Sequence, residues 1–399
     1  ESESKPALPS RAFYFENSEA LLSKVDVGGA PVQTAWNAQD TLDVTGVYVN
    51  SGNVRVLGCR VGDASPMIQM FGGAGPFIRE IRSFGIQVEA GRLIVVGGYV
   101  GYGPEIEIWD SVGAATATAV GKGILVSGGT ALLSGVDIYG AVDVSIDNAT
   151  DDGVVAQATA TTDGTGAEVA GGLLYIINCI VDAGQNNSEV DLAAAGSVES
   201  PIDASGSTVA RLACVRATGG RLVVVHSNLF TEPFSDALTD VSSGYGNEIS
   251  LAKLSARLLD AGPDAELQVF NSAGYHKVSE YDSALIAVSP QSRITMTNSV
   301  WWDMEYDVCR VHNQTDCVIS EGGLDSLSQV DGVSLASDNL IQDQLWDWWD
   351  TVAEGSPLID SAVATWDYGI GVFSDRPGNA RPRGDGYDIL KMKGLVQFT

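Results

Sequence analysis

Two pairs of charged residues have types and spacings that suit acid–base chemistry. Asp151 and Asp152 are adjacent carboxylates, the residue type that glycoside hydrolysis uses as acid and base, but they lie in a Thr/Ala/Gly-rich stretch where a solvated turn is the favoured interpretation. Lys253 and Arg257 lie four residues apart on a short helix predicted for residues 248–259, where they could abstract a proton or neutralise an acidic sugar. Two surface charges on that helix are the favoured interpretation, so we assign no catalytic residue.

His226 has the side chain of a general base, but its position is typical of a structural residue. Related segments of the chain carry small or polar residues there, namely Gly58, Gly97, Asn178, Asn271 and Asn298. We therefore predict that His226 is a corner or ladder residue. Asn271 and Asn298 share this register in consecutive segments, where stacked amides can hydrogen-bond along the stacking direction. Cys59 and Cys179 share the next register and are predicted to be buried as small hydrophobic residues.

The other cysteines suggest a disulfide. Cys309 and Cys317 enclose a short loop, and a local disulfide between them in an oxidising compartment is the favoured prediction. Two free thiols in a cytosolic loop are the alternative. A zinc site is disfavoured, because His312 alone lies nearby and zinc takes four ligands.

Carboxylates recur in the polar segments and raise the question of calcium, which prefers oxygen-rich loops. They are Asp147, Asp151, Asp152, Asp303, Glu305, Asp307, Asp343, Asp347 and Asp350. The chain lacks an Asp-x-Asp-x-Asp-Gly frame and a nonapeptide Gly/Asp repeat, and solvating acidic residues in a saline habitat explain the same pattern. Metal ligands are therefore left unassigned, no cofactor is predicted, and calcium is the one ion left open.

Composition excludes several classes of protein. The 399 residues carry 22 Lys+Arg against 51 Asp+Glu, a formal net charge of -29, yet only 18% are charged, 45% are hydrophobic and 46 are glycine. This apolar content excludes a disordered chain. The sign of the charge argues against binding to nucleic acid or to anionic lipid. No apolar stretch is long enough to span a membrane.

An internal repeat predicts the fold. Seven segments share the order apolar, any, apolar, any, small or polar, small, any, apolar, and their second residues are Val54, Leu93, Ala131, Leu174, Leu222, Leu267 and Ile294. Period-2 alternation indicates strands with one buried face, and the small residues mark corners. Strands and corners that recur at steps of 39, 38, 43, 48, 45 and 27 residues predict an all-β parallel solenoid with little helix.

The longer steps leave two interpretations open. Residues 112–121, 151–168, 183–207 and 230–257 are either inserts or concealed, degenerate turns of the solenoid. If they are inserts, residues 113–119, Gly-Ala-Ala-Thr-Ala-Thr-Ala, expose a small uncharged surface that suits close contacts between subunits.

A solenoid needs covered ends, because terminal strands invite edge-to-edge pairing. We predict an N-terminal cap over residues 1–40, a β-helix over 41–302, and a last turn with a C-terminal cap over 303–399. Within the first cap, Phe13–Phe15 is strand-like and residues 17–25 are predicted to form a short capped helix. Six of the eight tryptophans are expected to cover the last apolar rung, and a sugar-binding platform is the alternative. They are Trp301, Trp302, Trp346, Trp348, Trp349 and Trp366.

Four blocks near the C-terminus carry a resemblance to a known family. They are Thr297-Asn-Ser-Val-Trp-Trp302, Cys317-Val-Ile-Ser-Glu-Gly-Gly-Leu324, Glu354-Gly-Ser-Pro-Leu-Ile-Asp-Ser361 and Arg381-Pro-Arg-Gly-Asp-Gly-Tyr-Asp-Ile389. Their order resembles the C-terminal signature of secreted bacterial right-handed β-helix proteins with a choice-of-anchor domain, in the pectate-lyase-like superfamily. The resemblance implies a right-handed parallel β-helix, export, and residence outside the cell or at its surface. After Ile389, residues 390–399 replace the Gly-Ala-Tyr-Glu that is familiar in this family.

Two functions remain as hypotheses. The first is a non-catalytic extracellular subunit, on the cell surface or in an appendage, that associates with copies of itself or with other surface proteins. The second is a secreted polysaccharide lyase or glycoside hydrolase on the same β-helix, a common activity for this architecture. The first is preferred, because no catalytic grouping is recognised and a net charge of -29 repels uronate or sulfate polymers unless calcium intervenes.

Overall fold

The computed structural model describes residues 10–303 with short interruptions, and four further strands. The interruptions are residues 29–31, 35–38, 63–65, 75–76, 151–155, 195–196, 200, 202, 232–234, 244, 277–283, 289–291 and 298, and the further strands cover 309–313, 317–320, 333–337 and 340–341. The described residues form strands and turns, which confirms the all-β prediction. They include no helix long and apolar enough to cross a membrane.

The strands form three sheets. The ten-stranded sheet contains β1 (Ser10–Phe15), β5 (Gln39–Val49), β8 (Phe77–Val88), β11 (Ala114–Val126), β15 (Ala156–Val169), β19 (Ala204–Ala217), β23 (Glu248–Ala261), β26 (Ala284–Val288), β29 (Cys309–Asn313) and β30 (Cys317–Ser320). The six-stranded sheet contains β4 (Val32–Thr34), β7 (Met67–Ala74), β10 (Glu105–Val112), β14 (Val142–Thr150), β18 (Asn186–Ala194) and β22 (Asp236–Ser243). The sixteen-stranded sheet contains β2 (Ser18–Ser23), β3 (Asp26–Val27), β6 (Gly52–Val61), β9 (Arg92–Tyr102), β12 (Thr130–Ser134), β13 (Asp137–Gly140), β16 (Leu173–Ile177), β17 (Ile180–Asp182), β20 (Gly220–Val225), β21 (Asn228–Thr231), β24 (Ala265–Phe270), β25 (Ala273–His276), β27 (Arg293–Thr297), β28 (Val300–Asp303), β31 (Val333–Ser337) and β32 (Leu340–Ile341).

Neighbouring strands are parallel in all three sheets, apart from the antiparallel pair β29–β30. Strands that pair in the ten-stranded sheet, such as β8, β11 and β15, are separated along the chain by strands of the other two sheets. The chain therefore returns repeatedly to each sheet and adds a parallel strand there. This arrangement is consistent with a parallel β-solenoid.

The register agrees with the sequence repeat. The seven second residues pair in succession in the sixteen-stranded sheet: Val54, Leu93, Ala131, Leu174, Leu222, Leu267 and Ile294. The same ladder extends back to Ala20, which pairs with Val54. The predicted helix over residues 17–25 is therefore wrong, because β2 occupies that segment and lies against β6. The residues of β2 alternate between exposed and partly buried positions, as in a strand. The helix prediction gave more weight to the capping pattern at the start of the segment.

The described residues of the segments interpreted as inserts or concealed turns lie mostly in regular strands of the ten-stranded and six-stranded sheets. Residues 114–126 are β11, in which Ala115, Ala117 and Ala119 face inward and the two threonines face outward. Ala115, Ala117 and Ala119 are buried, so the small uncharged surface expected of residues 113–119 is limited to the outward residues, which are partly exposed. The small side chains of the three buried alanines allow the ten-stranded sheet to pack closely on the branched side chains of the six-stranded sheet, including Ile106 and Ile108.

The core consists of two main clusters that share the long strands of the ten-stranded sheet. In β11, Ala117 belongs to the cluster facing the six-stranded sheet, and Ile124 belongs to the cluster facing the sixteen-stranded sheet. A column of glycines lies between these halves. A Cβ added at Gly85 or at Gly123 would lie 2.6 Å from a backbone oxygen of the next strand, Gly123 O or Gly166 O, so this close approach requires glycine.

The corners of the sixteen-stranded sheet repeat one backbone conformation. Gly97, Asn178, His226 and Asn271 have φ values of 62°, 54°, 48° and 47°, which lie in the left-handed region. His226 is buried at such a corner, as predicted, because a left-handed residue lets the chain turn without leaving the stack. Asn298 lies outside the described residues, so its stacking on Asn271 stays a prediction.

A buried column of hydroxyls and thiols follows these corners. Ser227 Oγ donates to the carbonyl of Val225 at 2.9 Å and accepts from the N–H of Cys179 at 3.1 Å. The thiols of Cys59 and Cys179 lie at the same register, and both cysteines are buried, as predicted. The Cys179 thiol donates to the carbonyl of Ile177 at 3.3 Å. Each side chain therefore ties a corner to its own strand, and Ser227 also ties it to the neighbouring corner.

This column gives a first prediction. Ser227→Ala leaves the buried N–H of Cys179 without its acceptor and should lower the free energy of unfolding by about 1–3 kcal/mol. Ser227→Cys should retain most of the stability, because cysteine already occupies this register at Cys59 and Cys179. Urea denaturation followed by circular dichroism measures both changes, and equal losses in the two variants would contradict the role assigned to the hydroxyl.

Candidate functional site

The outer face of the six-stranded sheet carries a concentration of carboxylates. Ile106 and Ile108 are buried between the sheets, so alternation along β10 places Glu105, Glu107 and Trp109 on the opposite, outer face. The same alternation places Asp143, Ser145 and Asp147 of β14 on that face, and then Asn187, Glu189 and Asp191 of β18. The sequence period-2 pattern therefore fixes which side of the sheet is acidic.

The parallel register stacks these side chains into columns. One column contains Glu105, Asp143 and Asn187, the next contains Glu107, Ser145 and Glu189, and the third contains Trp109, Asp147 and Asp191. Adjacent strands lie about 4.8 Å apart, so neighbouring carboxylates in a column are close enough to repel each other.

Burial, together with this repulsion, raises the pKa values of two of these carboxyl groups. Burial, a hydrogen bond with Glu107 and the charges of Glu107 and Asp143 raise the pKa of Glu105 to about 7. Burial also raises the pKa of Asp143; a hydrogen bond with Asn187 lowers it, and the charges of Glu107 and Glu189 raise it further. Gln69 Nε2 donates a hydrogen bond to Glu107 Oε2 at 2.8 Å. Near neutral pH, Glu105 therefore retains its proton for a substantial part of the time.

These side chains line a cleft of about 360 Å³, with Leu238 of β22 at its border. We call it the acidic cleft. It offers a protonated carboxyl as a proton donor and carboxylates and an amide as hydrogen-bond partners, and Trp109 lies on the same face. Such groups can bind sugar hydroxyls and can supply a general acid. Within the part of the chain that the structure describes, no three His, Cys, Asp or Glu side chains are grouped so that they could hold a metal ion.

A second charged cluster lies on the ten-stranded sheet and centres on Arg216. Its guanidinium lies 2.8 Å from Asp163 Oδ1, 3.0 Å from Asp260 Oδ2 and 3.6 Å from Glu168 Oε2. Lys122 Nζ lies 2.7 Å from the same Glu168 oxygen. Two cations and three carboxylates are therefore paired in a largely buried site.

The pKa directions show that this cluster is an ionic tie. Burial lowers the pKa of Arg216, but Asp163, Asp260 and Glu168 raise it by more, so the net pKa lies above its usual range. Burial raises the pKa of Asp163, but Arg216 and Lys122 lower it by more, so the net pKa is below its usual range. Both groups stay charged at neutral pH, and neither is poised to exchange a proton.

Sequence reasoning missed both of these clusters. The spacing in the sequence could have indicated the Arg216 cluster. Glu168, Arg216 and Asp260 are separated by one repeat step each and pair directly in register. The residues singled out from the sequence lie elsewhere. Lys253 and Arg257 lie on β23, so the predicted helix over residues 248–259 is wrong, and four residues of strand separate them by roughly 13 Å.

The remaining sequence candidates are only partly described. Asp151 and Asp152 lie outside the described residues, as do Glu305, Asp307, Asp343, Asp347 and Asp350. Cys309 begins β29 and pairs with Ser320, whereas Cys317 begins β30 and pairs with His312. The side chains of both cysteines lie outside the described residues, so the disulfide stays a prediction.

In comparisons with known proteins, no family model, no curated protein and no solved structure matches this chain.

The acidic cleft gives a second prediction. Folding raises the pKa of Glu105 from 4.5 to about 7, so the folded protein binds more protons than the unfolded chain between these values, and stability falls as pH rises through them. Glu105→Gln cannot ionise and should remove this loss. The variant should be more stable than the parent above about pH 7, and the difference should disappear below about pH 4.5.

Thermal unfolding over that pH range measures the effect, with Glu189→Gln from the same cleft as the control. A pH dependence that changes equally in both variants would show that total charge, rather than the proton on Glu105, is responsible.

Proposed function

We propose that this protein is a non-catalytic extracellular subunit that associates with copies of itself or with other surface proteins, on the cell surface or in an appendage. One observation carries this proposal: an exposed apolar edge. At this edge the described six-stranded sheet ends, and the next strand of the ten-stranded sheet, β26, covers only part of β23. We call this edge the lip and define it as residues 236–243 and 245–253.

The lip follows from a short step in the chain. From Leu222 to Leu267 the chain takes 45 residues and forms β22 and all of β23. From Leu267 to Ile294 it takes only 27, and β26 pairs with β23 solely over Arg257–Ala261. Among the described strands, β22 is therefore the last of the six-stranded sheet, and residues 248–253 of β23 have no described strand on their next edge.

Apolar side chains are concentrated on this edge. Leu238, Tyr245, Ile249 and Leu251 are 51%, 62%, 52% and 62% exposed. Hydrogen bonds hold the two strands together: Thr239 Oγ1 donates to the carbonyl of Leu251 at 3.0 Å, and Ser250 Oγ donates to the carbonyl of Thr239 at 2.8 Å. An ordered strand edge with exposed apolar side chains favours pairing with another chain.

The finer architecture belongs to the same proposal. We propose a right-handed parallel β-helix with about seven recognisable repeats and a cap at each end. The parallel pairing of strands after each return of the chain supports the handedness, because such crossovers are right-handed in ~98% of cases. The C-terminal blocks that resemble secreted β-helix proteins support the same hand.

Extracellular location is proposed on the same resemblance and on the disulfide predicted between Cys309 and Cys317. Polysaccharide is a further candidate partner, and calcium is the ion that would screen its charge against the acidic surface. The net charge of -29 argues against nucleic acid as a partner. Membrane insertion is not part of the proposal.

A second candidate function is a secreted polysaccharide lyase or glycoside hydrolase. The observation that favours it is the acidic cleft, where a carboxyl with a pKa of about 7 lies beside Glu107 and Asp143. A proton donor of this acidity is what the leaving oxygen of a glycoside requires near neutral pH.

A third prediction tests association through the lip. Light scattering and negative-stain microscopy of the concentrated protein should show oligomers, filaments or sheets. Leu251→Asp should weaken this assembly, because it places a charge on the apolar edge. Ile78→Asp is the matched control: Ile78 is exposed, lies in the same outward column of the ten-stranded sheet and is four strands away from Leu251.

Monodisperse monomers at high concentration would contradict the proposal. Equal weakening by the two Asp variants would remove the lip from it, because the added charge alone would then explain the effect.

A fourth prediction tests the enzymatic candidate. If the acidic cleft is catalytic, the protein releases sugars from alginate or pectin, and Glu105→Gln should lower the rate by about 10²–10⁴-fold. Asp191→Asn, which removes a carboxylate of the same outer face that does not line the cleft, should retain most of the rate. Absence of sugar release by the unmodified protein would exclude this activity on these polymers.

A further inference from the structure

One level of the core between the six-stranded and ten-stranded sheets carries polar side chains. Asn186 and Ser188 of β18 and Thr162 of β15 are 0%, 1% and 0% exposed. The residues that pair with them on the preceding strands, β14 and β11, are apolar: Val142, Val144 and Ala119. At this level of the stack, an amide and two hydroxyls therefore replace hydrocarbon.

The polar atoms of these side chains have no hydrogen-bond partner among the residues that the structure describes. They are Oδ1 and Nδ2 of Asn186, Oγ of Ser188 and Oγ1 of Thr162, and all four are buried. The backbone N–H of Asn186 donates to Ser235 Oγ at 3.1 Å, so the strand itself is bonded where the amide is not. A buried polar group without a hydrogen bond destabilises the folded state, because burial removes its bonds to water.

Two close approaches show how β18 lies across the ten-stranded sheet. A Cβ added at Gly164 of β15 would collide with the amide of Asn186. A Cβ added at Gly206 of β19 would lie 3.2 Å from Cγ1 of Val190, and Gly206 pairs with Ala158 of β15. From residue 186 to residue 190, β18 therefore passes from the level of residue 164 to the level of residue 158.

Ser188 lies halfway along this path and therefore faces the level of Thr162. Alternation along β15 points Thr162 inward, because its neighbours Thr161 and Asp163 are partly exposed on the outer face. Asn186 and Ser188 lie two residues apart on the same face of β18, about 7 Å along the strand. A water molecule between them can reach both, because each of its hydrogen bonds spans about 2.8 Å.

The side chains around this point are small. Gly164 has none, Ala160 is the next inward residue of β15 before Thr162, and Ala210 pairs with Thr162 on β19. Both alanines are 0% exposed. A buried water molecule needs a polar site with two to four hydrogen-bond partners and room for one small sphere. The four polar atoms meet the first requirement, and the small neighbours favour the second.

We propose that a buried water molecule is bound between the six-stranded and ten-stranded sheets by Asn186, Ser188 and Thr162. This water accepts hydrogen bonds from Asn186 Nδ2 and from one hydroxyl, and it donates to Asn186 Oδ1 and to the oxygen of the other hydroxyl. All four polar atoms then have a partner. The site lies in the core, so it depends neither on association through the lip nor on catalysis in the acidic cleft.

A crystal structure of the unmodified protein that shows ordered waters tests the site directly. We expect one water within about 3.2 Å of polar atoms from at least two of the three side chains. A dry site, a metal ion at this position, or direct hydrogen bonds among the three side chains that leave no place for a water would overturn the proposal.

Magnetic relaxation dispersion of water ¹⁷O, measured on the full chain in solution, counts long-lived internal waters independently. The triple variant Asn186→Val, Ser188→Ala, Thr162→Val makes the site apolar, and small apolar cavities stay dry. Its count should fall by about one relative to the unmodified protein. The matched control, Thr159→Val with Thr161→Val, removes two hydroxyls from the outer face of the same strand and should leave the count unchanged.

An unchanged count in the triple variant, or an equal fall in the control, would contradict the proposal. If the triple variant does not fold, the crystal structure of the unmodified protein decides.

Discussion

In-register parallel stacking is the constraint on which the rest of the structure depends. Each strand pairs with the strand that the chain laid down one return earlier, so residues separated by one step occupy the same column. The same corner geometry therefore recurs along the stack. A residue in the left-handed conformation, such as Asn178 or His226, is followed by a small side chain, such as Cys179 or Ser227. A residue that does not fit a corner destabilises the stack, because the corners above and below have the same geometry.

The same stacking gives the two charged clusters opposite properties. In the ten-stranded sheet, Arg216 lies between Glu168 and Asp260 in one column, so residues of opposite charge alternate and the pKa of Arg216 is raised. In the six-stranded sheet, carboxylates crowd one partly buried face, so burial and the charges of neighbouring carboxylates raise the pKa values of Glu105 and Asp143. The first arrangement stabilises a buried face, and the second leaves a protonated carboxyl on an outer face. The acidic cleft is thus the part of the described surface that is best suited to proton transfer, and the lip is the part best suited to association.

Sequence reasoning predicted the stack well and its surface poorly. The seven repeat positions from Val54 to Ile294 pair as the alignment indicated, and His226 lies at a corner. The helix over residues 17–25 and the helix over residues 248–259 are both strands, because a short capping pattern or a four-residue spacing is weaker evidence than pairing with an existing edge. The acidic cleft went unnoticed, since its members, such as Glu105 and Asn187, are separated by whole repeat steps and meet only through register.

The sequence by itself determined the repeat, the period-2 alternation and the positions of the corners, since these are local patterns that the stacking simply copies. The tertiary structure decided which faces are covered. Ala115 and Ala117 are small and uncharged in a way that suits either a surface or a tight core, and only the six-stranded sheet packed against them made them core residues. Val96 and Val225 have the same residue type in the same column, yet one is open and the other is buried. Burial of an outer side chain depends on what lies across that face of the sheet. Such a contact joins segments that are far apart in the sequence, so no local sequence pattern predicts it.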